Sequence, residues 1–389
     1  MLKYLLAILL SSFIFPYCYA SDIHFKNINS DAGLSQNNVK SIYQDSYGFL
    51  WFGTRNKLNR YDGNAIKIFD CYDKEKEKGD NNIGVIFEDS DRKLWLGTDK
   101  GVYIFDPVYE TFSFFDTTSQ NGIIINDWIS SIQKDAQNNI WIIVPNQGVF
   151  KYEDRTKILH MYSVVKTLLP SVSNPQCMAI GDDGQVWIGT NGSGIYKYDK
   201  DKNTFKQYIR NNGSGISLEN KNIYSMAYYK GELFIGIHEE NLLKFDIRTQ
   251  QFVNPLYTGP NNKIIRKVSI INDNELWVST QSGIYIINLK NHQEKHVEGD
   301  FLDATSLSDN LIETIYQDRE GNIWIGTRSG GVNYLPKTGI KFNNYFPGMG
   351  RNPLSSRKVR SLVEDENKNI WVGTEDAGVF LLPADRSQF

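Results

Sequence analysis

Eight times along the chain a large aromatic residue opens a short apolar strand that small residues close, most often as Trp-x-Gly-Thr. The openings stand at Trp51, Trp95, Trp141, Trp187, Phe234, Trp277, Trp324 and Trp371, spaced by 44, 46, 46, 47, 43, 47 and 47 residues. A fixed period of this size is the signature of radial β architecture, with one four-stranded blade per repeat. It constrains the fold before any single residue is interpreted. It also moves the search for function from strands to loops.

The unit Val39 to Phe69 illustrates the expected blade. Val39-Lys40-Ser41-Ile42-Tyr43 reads as the innermost strand, and Asp45-Ser46-Tyr47-Gly48 as a hairpin loop. Leu50 to Thr54 is the second strand, Leu58 to Gly63 the third running into its turn, and Ile66 to Phe69 the outermost. The repeat tryptophans are expected to fill the gaps between stacked sheets. The recurring strand glycine implies close approach of a neighbouring blade. The repeats at Trp141-Ile142-Ile143-Val144, Phe234-Ile235-Gly236-Ile237 and Trp277-Val278-Ser279-Thr280 depart from the pattern but keep the spacing.

The count of outermost strands is one short unless Ile23-His24-Phe25-Lys26-Asn27 completes the blade of Trp324 and closes the ring. The predicted fold is therefore all-β: a seven-bladed propeller over residues 21–337, followed by the isolated first blade of a second, truncated propeller over 338–389. A single eight-bladed ring is the alternative. Residues 1–20 read as a signal peptide, with Lys3, the apolar run Leu5 to Phe15 and the small residues near Ala20. Such a leader implies export, to the periplasm or beyond.

The net charge of −3 gives no electrostatic reason to invoke nucleic acid. Behind the leader stand two cysteines, Cys71 and Cys177, in different repeats; they read as small apolar residues rather than a disulfide. No phosphate loop, dinucleotide motif or nucleophile elbow occurs, so no catalytic residue, cofactor or metal is assigned. His292 and His296 would sit too far apart on a strand and its loop to chelate together, and Glu239 and Glu240 would point to opposite faces.

The segment Asp31 to Val39, with Ser41-Ile42-Tyr43-Gln44-Asp45, Leu50-Trp51-Phe52-Gly53-Thr54 and Leu58-Asn59-Arg60-Tyr61-Asp62-Gly63, resembles the two-component regulator propeller repeat. The motif returns at Ser306 to Asn310 with Thr314 to Asp318. The resemblance spans nearly all of residues 22–389. It implies the periplasmic sensor part of a hybrid histidine kinase of polysaccharide utilisation, anchored in the inner membrane and built of two seven-bladed propellers and a β-sandwich. It also implies an oligosaccharide ligand, with the second propeller and the kinase supplied by a full-length relative; a homodimer is compatible with it.

Propeller ligands usually meet the face that carries the loops between second and third strands and between blades. There the candidate ligand-binding residues are Arg55, Asn56, Trp128, Asn146, His238 and Arg328. Trp128 stands outside the repeat slot among polar neighbours, a setting that suits a sugar's apolar face and hydroxyls, or alternatively a loop staple. The competing functions are a propeller-fold polysaccharide lyase or glycoside hydrolase, whose distant acid and base leave no local motif, and a protein-binding scaffold.

Overall fold

In the computed structural model, residues 23–163, 174–208, 217–238, 242–253, 264–300, 303, 305–338, 354 and 358–385 are described. The leader 1–20, the Glu239-Glu240 pair and the strand expected at 340–346 lie outside them. The described residues form antiparallel sheets, numbered here by the aromatic slot each carries, from sheet 1 (Trp51) to sheet 8 (Trp371). Sheet 1 runs Val39–Gln44, Leu50–Thr54, Leu58–Tyr61 and Ile66–Phe69, innermost strand first. Sheets 2, 3 and 6 repeat that order, and sheets 4 and 5 are joined through pairs such as Asn191 with Asn222. An added hairpin, Tyr72–Asp73 with Lys78–Gly79, lies between sheets 1 and 2 and has no counterpart in the expected repeat.

The innermost strands Val39–Gln44, Ile83–Glu88, Ser131–Lys134, Pro175–Ile180, Glu219–Tyr229, Lys267–Ile271 and Ile312–Gln317 touch one another in sequence, and the last touches the first. Sheet 7 takes its fourth strand from the other end of the chain. Lys26–Ile28 pairs with Val332–Tyr334, and the Asn27 side chain donates to the Gly330 carbonyl at 2.7 Å. The pairing is the one expected, but the strand begins later than expected. Phe25 is not part of the ladder; its buried ring packs with Trp277 and Ile312 between sheets 6 and 7.

Buried apolar residues gather at each junction around the ring, from Trp51 with Phe105 between sheets 1 and 2 to Trp324 with Phe52 between sheets 7 and 1. The strand glycine explains how the sheets approach. A methyl group on Gly53 would stand 2.8 Å from the Ile83 carbonyl, and one on Gly97 2.8 Å from Ile129 Cγ2. On Gly189 it would meet Ile223 at 2.7 Å, and on Gly326 the Val39 carbonyl at 2.7 Å. Each glycine thus admits an apolar residue, or its carbonyl, at or near the start of the next sheet's ladder. Gly373 of sheet 8 meets only its own partner strand, at Ser361.

Sheet 8, Val359–Glu364, Ile370–Thr374 and Val379–Leu382, pairs in the same register as sheet 1. Its faces are bare: Leu362, Val363 and Val379 are exposed, and Trp371 is 43% exposed. Trp371 therefore departs from the core role expected of a repeat tryptophan, because no neighbouring sheet covers it among the described residues.

The hairpin aspartates do more than shape a turn. Asp45 Oδ1 accepts from the Tyr47 and Phe49 amides, while Oδ2 accepts from Trp51 Nε1 at 2.7 Å. The same carboxylate-to-indole bond ties Asp89 to Trp95, Asp135 to Trp141, Asp318 to Trp324 and Asp365 to Trp371. In sheet 4 glycine stands six residues before the tryptophan, as Gly181, and the buried Trp187 Nε1 has no partner. Cys71 and Cys177 are each buried and free.

Candidate functional site

The threonine of the repeat fixes the loops at one end of the ring. Thr98, Thr190, Thr280 and Thr327 each donate their buried hydroxyl to the carbonyl of the glycine that opens the third strand. They accept in turn from a loop amide, as Thr327 does from Gly330 at 2.9 Å. Thr54 bonds the Lys57 carbonyl instead, where Lys57 takes a left-handed φ of 82°. A loop tied at both ends presents its tip residues at small entropic cost on binding.

Those loops adjoin the segments that lead into the inner strands. The Arg55 amide donates to the Asn38 carbonyl, the His238 amide to Asn222 and the Arg328 amide to Leu311. Arg55, Asn56, Asn146 and Arg328 are exposed, and the His238 ring stacks on Tyr224 at 4.9 Å. The Asn56 carbonyl is held by the Ser35 hydroxyl at 2.6 Å. Trp128 is 40% exposed, with its amide on Asp127 Oδ1, while Asp127 Oδ2 accepts from Asn146 Nδ2 at 3.1 Å. Gln147 Nε2 reaches Asn126 and the Ile124 carbonyl, so this junction is laced together around the indole. The six residues thus share one end of the sheets; Trp128 and Asn146 are brought together, and the others are spread over different sheets.

A second set of residues comes into view only when the repeats are aligned on their ladders. The register shifts near the start of these inner strands, leaving one residue bulged out of the ladder: Lys40, Gly84, Gln176, Tyr224 and Glu313 in sheets 1, 2, 4, 5 and 7. Ser130 and Arg266 stand at the same place in sheets 3 and 6, each with its amide on the facing strand. Arg266 and Glu313 meet at 3.7 Å across neighbouring sheets. Several buried polar atoms here have no protein partner: Asn38 Oδ1, Ser41 Oγ, Asn82 Oδ1, Ser130 Oγ and Arg266 Nε. Buried polar atoms are usually bonded, so such a concentration marks a place where water or a ligand completes the bonding.

At the opposite end, a cavity of about 150 Å³ lies between sheets 3 and 4, lined by Asp135, Asn139, Lys151, Asp183, Tyr198 and Lys200. Among the described residues no three His, Cys, Asp or Glu side chains converge to hold a metal. His296 stacks on Tyr285 at 4.2 Å, while His292 occupies a left-handed turn position, so the two have separate settings. No helix among the described residues is long and apolar enough to cross a membrane.

The sequence model described as two component regulator propeller matches residues 33–56, 78–100, 306–329 and 353–376, the inner halves of sheets 1, 2, 7 and 8. Over 49 residues the chain is 47% identical to histidine kinase P4 of Formosa agariphila, which is 13% of this chain and 4% of that kinase. The extracellular domain of a putative hybrid two component system from B. thetaiotaomicron superposes with a TM-score of 0.71 at 24% identity, covering 93% of this chain and 48% of that one. A second such domain from the same organism gives 0.67 at 19%, covering 94% and 53%. The chain thus spans about half the length of these domains. Virginiamycin B lyase of Staphylococcus aureus superposes at 0.60 with 11% identity, covering 80% of this chain and 98% of the lyase. At these identities the likeness is one of fold. The chain carries two-component regulator propeller repeats and has the propeller fold found in extracellular domains of hybrid two-component systems.

Proposed function

We propose that the chain is the ligand-recognition part of an exported two-component sensor, a seven-bladed propeller over residues 21–337 with one further blade, 338–389, outside the ring. The closed order of inner-strand contacts and the N-terminal strand in sheet 7 support this ring over an eight-bladed one. The ligand is an oligosaccharide, received on the face that carries Arg55, Asn56, Trp128, Asn146, His238 and Arg328. One observation carries the reading: Trp128 is exposed beside a fixed Asp127–Asn146 pair, an apolar plane flanked by hydrogen-bonding groups. The reading assigns no catalytic step. The leader exports the domain, and signalling runs through a further propeller and a kinase in the whole protein.

Binding of a glycan library by the purified chain, followed by calorimetry, tests this. A hit that survives intact and weakens on the order of tenfold in Trp128→Ala supports recognition without chemistry. New reducing ends or unsaturated products would make the chain an enzyme, and capture of a protein with no sugar bound would make it a scaffold.

A further inference from the structure

One bulge in the ring carries an aromatic side chain. In sheet 5 the ladder pairs Ile223 with Ile237 and then Ser225 with Gly236, so Tyr224 stands out of it. Lys40, Gly84, Ser130, Gln176, Arg266 and Glu313 hold the same place in the other ring sheets. The residue four positions beyond the aromatic slot is likewise aromatic in sheet 5 alone, as His238. The two rings stack on each other at the loop end of the sheet, with centroids 4.9 Å apart and planes 27° from parallel.

The backbone beneath the pair is fixed on both sides. The His238 amide donates to the Asn222 carbonyl at 2.9 Å, and Asn222 pairs in turn with Asn191 of sheet 4. Among the described residues no other neighbouring ring sheets share a ladder. Next to the bulge, Ser225 Oγ accepts from the Val268 amide of sheet 6 at 3.0 Å. Tyr224 is thus anchored between both neighbouring sheets, yet its side chain is 47% exposed. A ring that served only to fill the core would be covered, as Phe234 of the same sheet is at 2%. A phenol ring backed by imidazole and otherwise open to water offers apolar area at small entropic cost, because the stack and the ladders have already ordered it. Trp128 stands before the inner strand of sheet 3, so the two exposed rings are separate points of contact.

We infer that Tyr224, backed by His238, is a stacking platform for a pyranose ring, taking the face on which the sugar's C–H groups lie. This rests on the proposed function and adds to it a contact that Trp128 does not supply. The C–H face of a pyranose is weakly hydrated and slightly positive, and the face of a phenol ring is its negative side, so the two match in apolar area and in charge. The sugar's hydroxyls lie around the rim and keep their bonds to water. The platform therefore selects by shape, for sugars with several C–H bonds on one face, rather than by charge.

The test is calorimetric binding of defined hexasaccharides of glucose, galactose, mannose, xylose and galacturonic acid to the whole chain. Tyr224→Ala removes the ring. Tyr224→Gln does the same with the residue type that sheet 4 carries at this place, Gln176, so folding is expected to be kept. Tyr224→Phe keeps the ring without its hydroxyl. Tyr109→Ala, at a 78% exposed position in the turn between the third and outermost strands of sheet 2, is the control. The expected result is a probe bound by the natural chain and by Tyr109→Ala, and weakened on the order of tenfold in Tyr224→Ala and Tyr224→Gln. Tyr224→Phe should bind it within about twofold of the natural chain, and all variants should share one thermal midpoint. Binding unchanged in Tyr224→Ala or Tyr224→Gln overturns the platform and leaves the proposed function standing. A loss in Tyr224→Phe as large as in Tyr224→Ala overturns stacking as its basis. A loss that accompanies a lowered thermal midpoint in both Tyr224→Ala and Tyr224→Gln makes the pair a structural brace and overturns the platform too. A natural chain that binds none of the probes overturns both readings. Binding that depends on Tyr224 and not on Trp128 keeps the platform and overturns the Trp128 site of the proposed function.

Discussion

The missing partner of Trp187 makes the hydrogen bond to the repeat tryptophan measurable against a control built into the same molecule. Trp51 and Trp187 are both buried and both pack against a phenylalanine of the following sheet, Phe105 and Phe245, at 5.4 and 5.6 Å. They differ in the indole nitrogen: Trp51 Nε1 donates to the buried Asp45 carboxylate, and Trp187 Nε1 donates to nothing. Replacing either by phenylalanine removes similar apolar area and leaves a similar void. Trp51→Phe additionally strips a buried carboxylate oxygen of its donor, which costs about 1.5–3 kcal/mol for a bond to a charged group. Trp187→Phe removes a donor already unsatisfied, so part of its cavity penalty is offset. Trp51→Phe should therefore be the more destabilising by about 2 kcal/mol. Urea unfolding followed by far-ultraviolet circular dichroism, which does not depend on the altered fluorophore, gives the comparison through its midpoints. Equal losses for the two variants would refute the view that the aspartate–indole bond stabilises the sheets.

Deleting residues 23–30 should lower the thermal midpoint sharply, because it removes the ladder to Val332–Tyr334 and the buried Phe25 ring; an unchanged midpoint would contradict closure by this strand. Gly326→Ala places a methyl against the Val39 carbonyl and should cost about 1–3 kcal/mol. Gly373→Ala, which meets no neighbouring sheet, should leave the ring's unfolding unaltered. Amide exchange in Ile370–Thr374 should be faster than in Ile323–Thr327, since one sheet is bare and the other buried; equal protection would favour an eight-bladed ring. Cys71 and Cys177 should react with a thiol reagent only after unfolding, because burial raises both thiols and hides them.

The period of the aromatic slot was enough to anticipate the eight sheets that carry it, though not the added hairpin Tyr72–Gly79, because each slot strand is one recurring unit whose glycine and threonine have repeated tasks. The glycine was legible as a point of close approach, and the structure identifies the visitors as residues of the next sheet, Ile83, Ile129, Ile223 and Val39. The aspartates were legible as turn formers but not as indole acceptors, since that second role depends on a six-residue reach that turn chemistry does not predict. The N-terminal strand was found by counting, while its start was misplaced: Phe25 follows strand patterning but is captured by the core between sheets 6 and 7. Arg266 was missed altogether: it matches no motif, and its contact with Glu313 joins neighbouring sheets that only the folded ring brings together.

The strand Lys26–Ile28 also sets the order in which the molecule can be finished. Asn27 bonds to Val332, 305 positions later in the sequence. Sheets 2 to 6 and the hairpins of sheet 1 need only neighbours made within moments of each other. The seam between first and last ring sheets must wait for almost the whole ring to be synthesised, and such long-range closure is the slow kind. Until then both flanks expose unpaired backbone, each a template for a strand from another molecule. A ring sealed by its earliest residues is thus at greatest risk of aggregation just before completion, and a factor that shields the nascent N-terminal strand would raise the yield of folded protein.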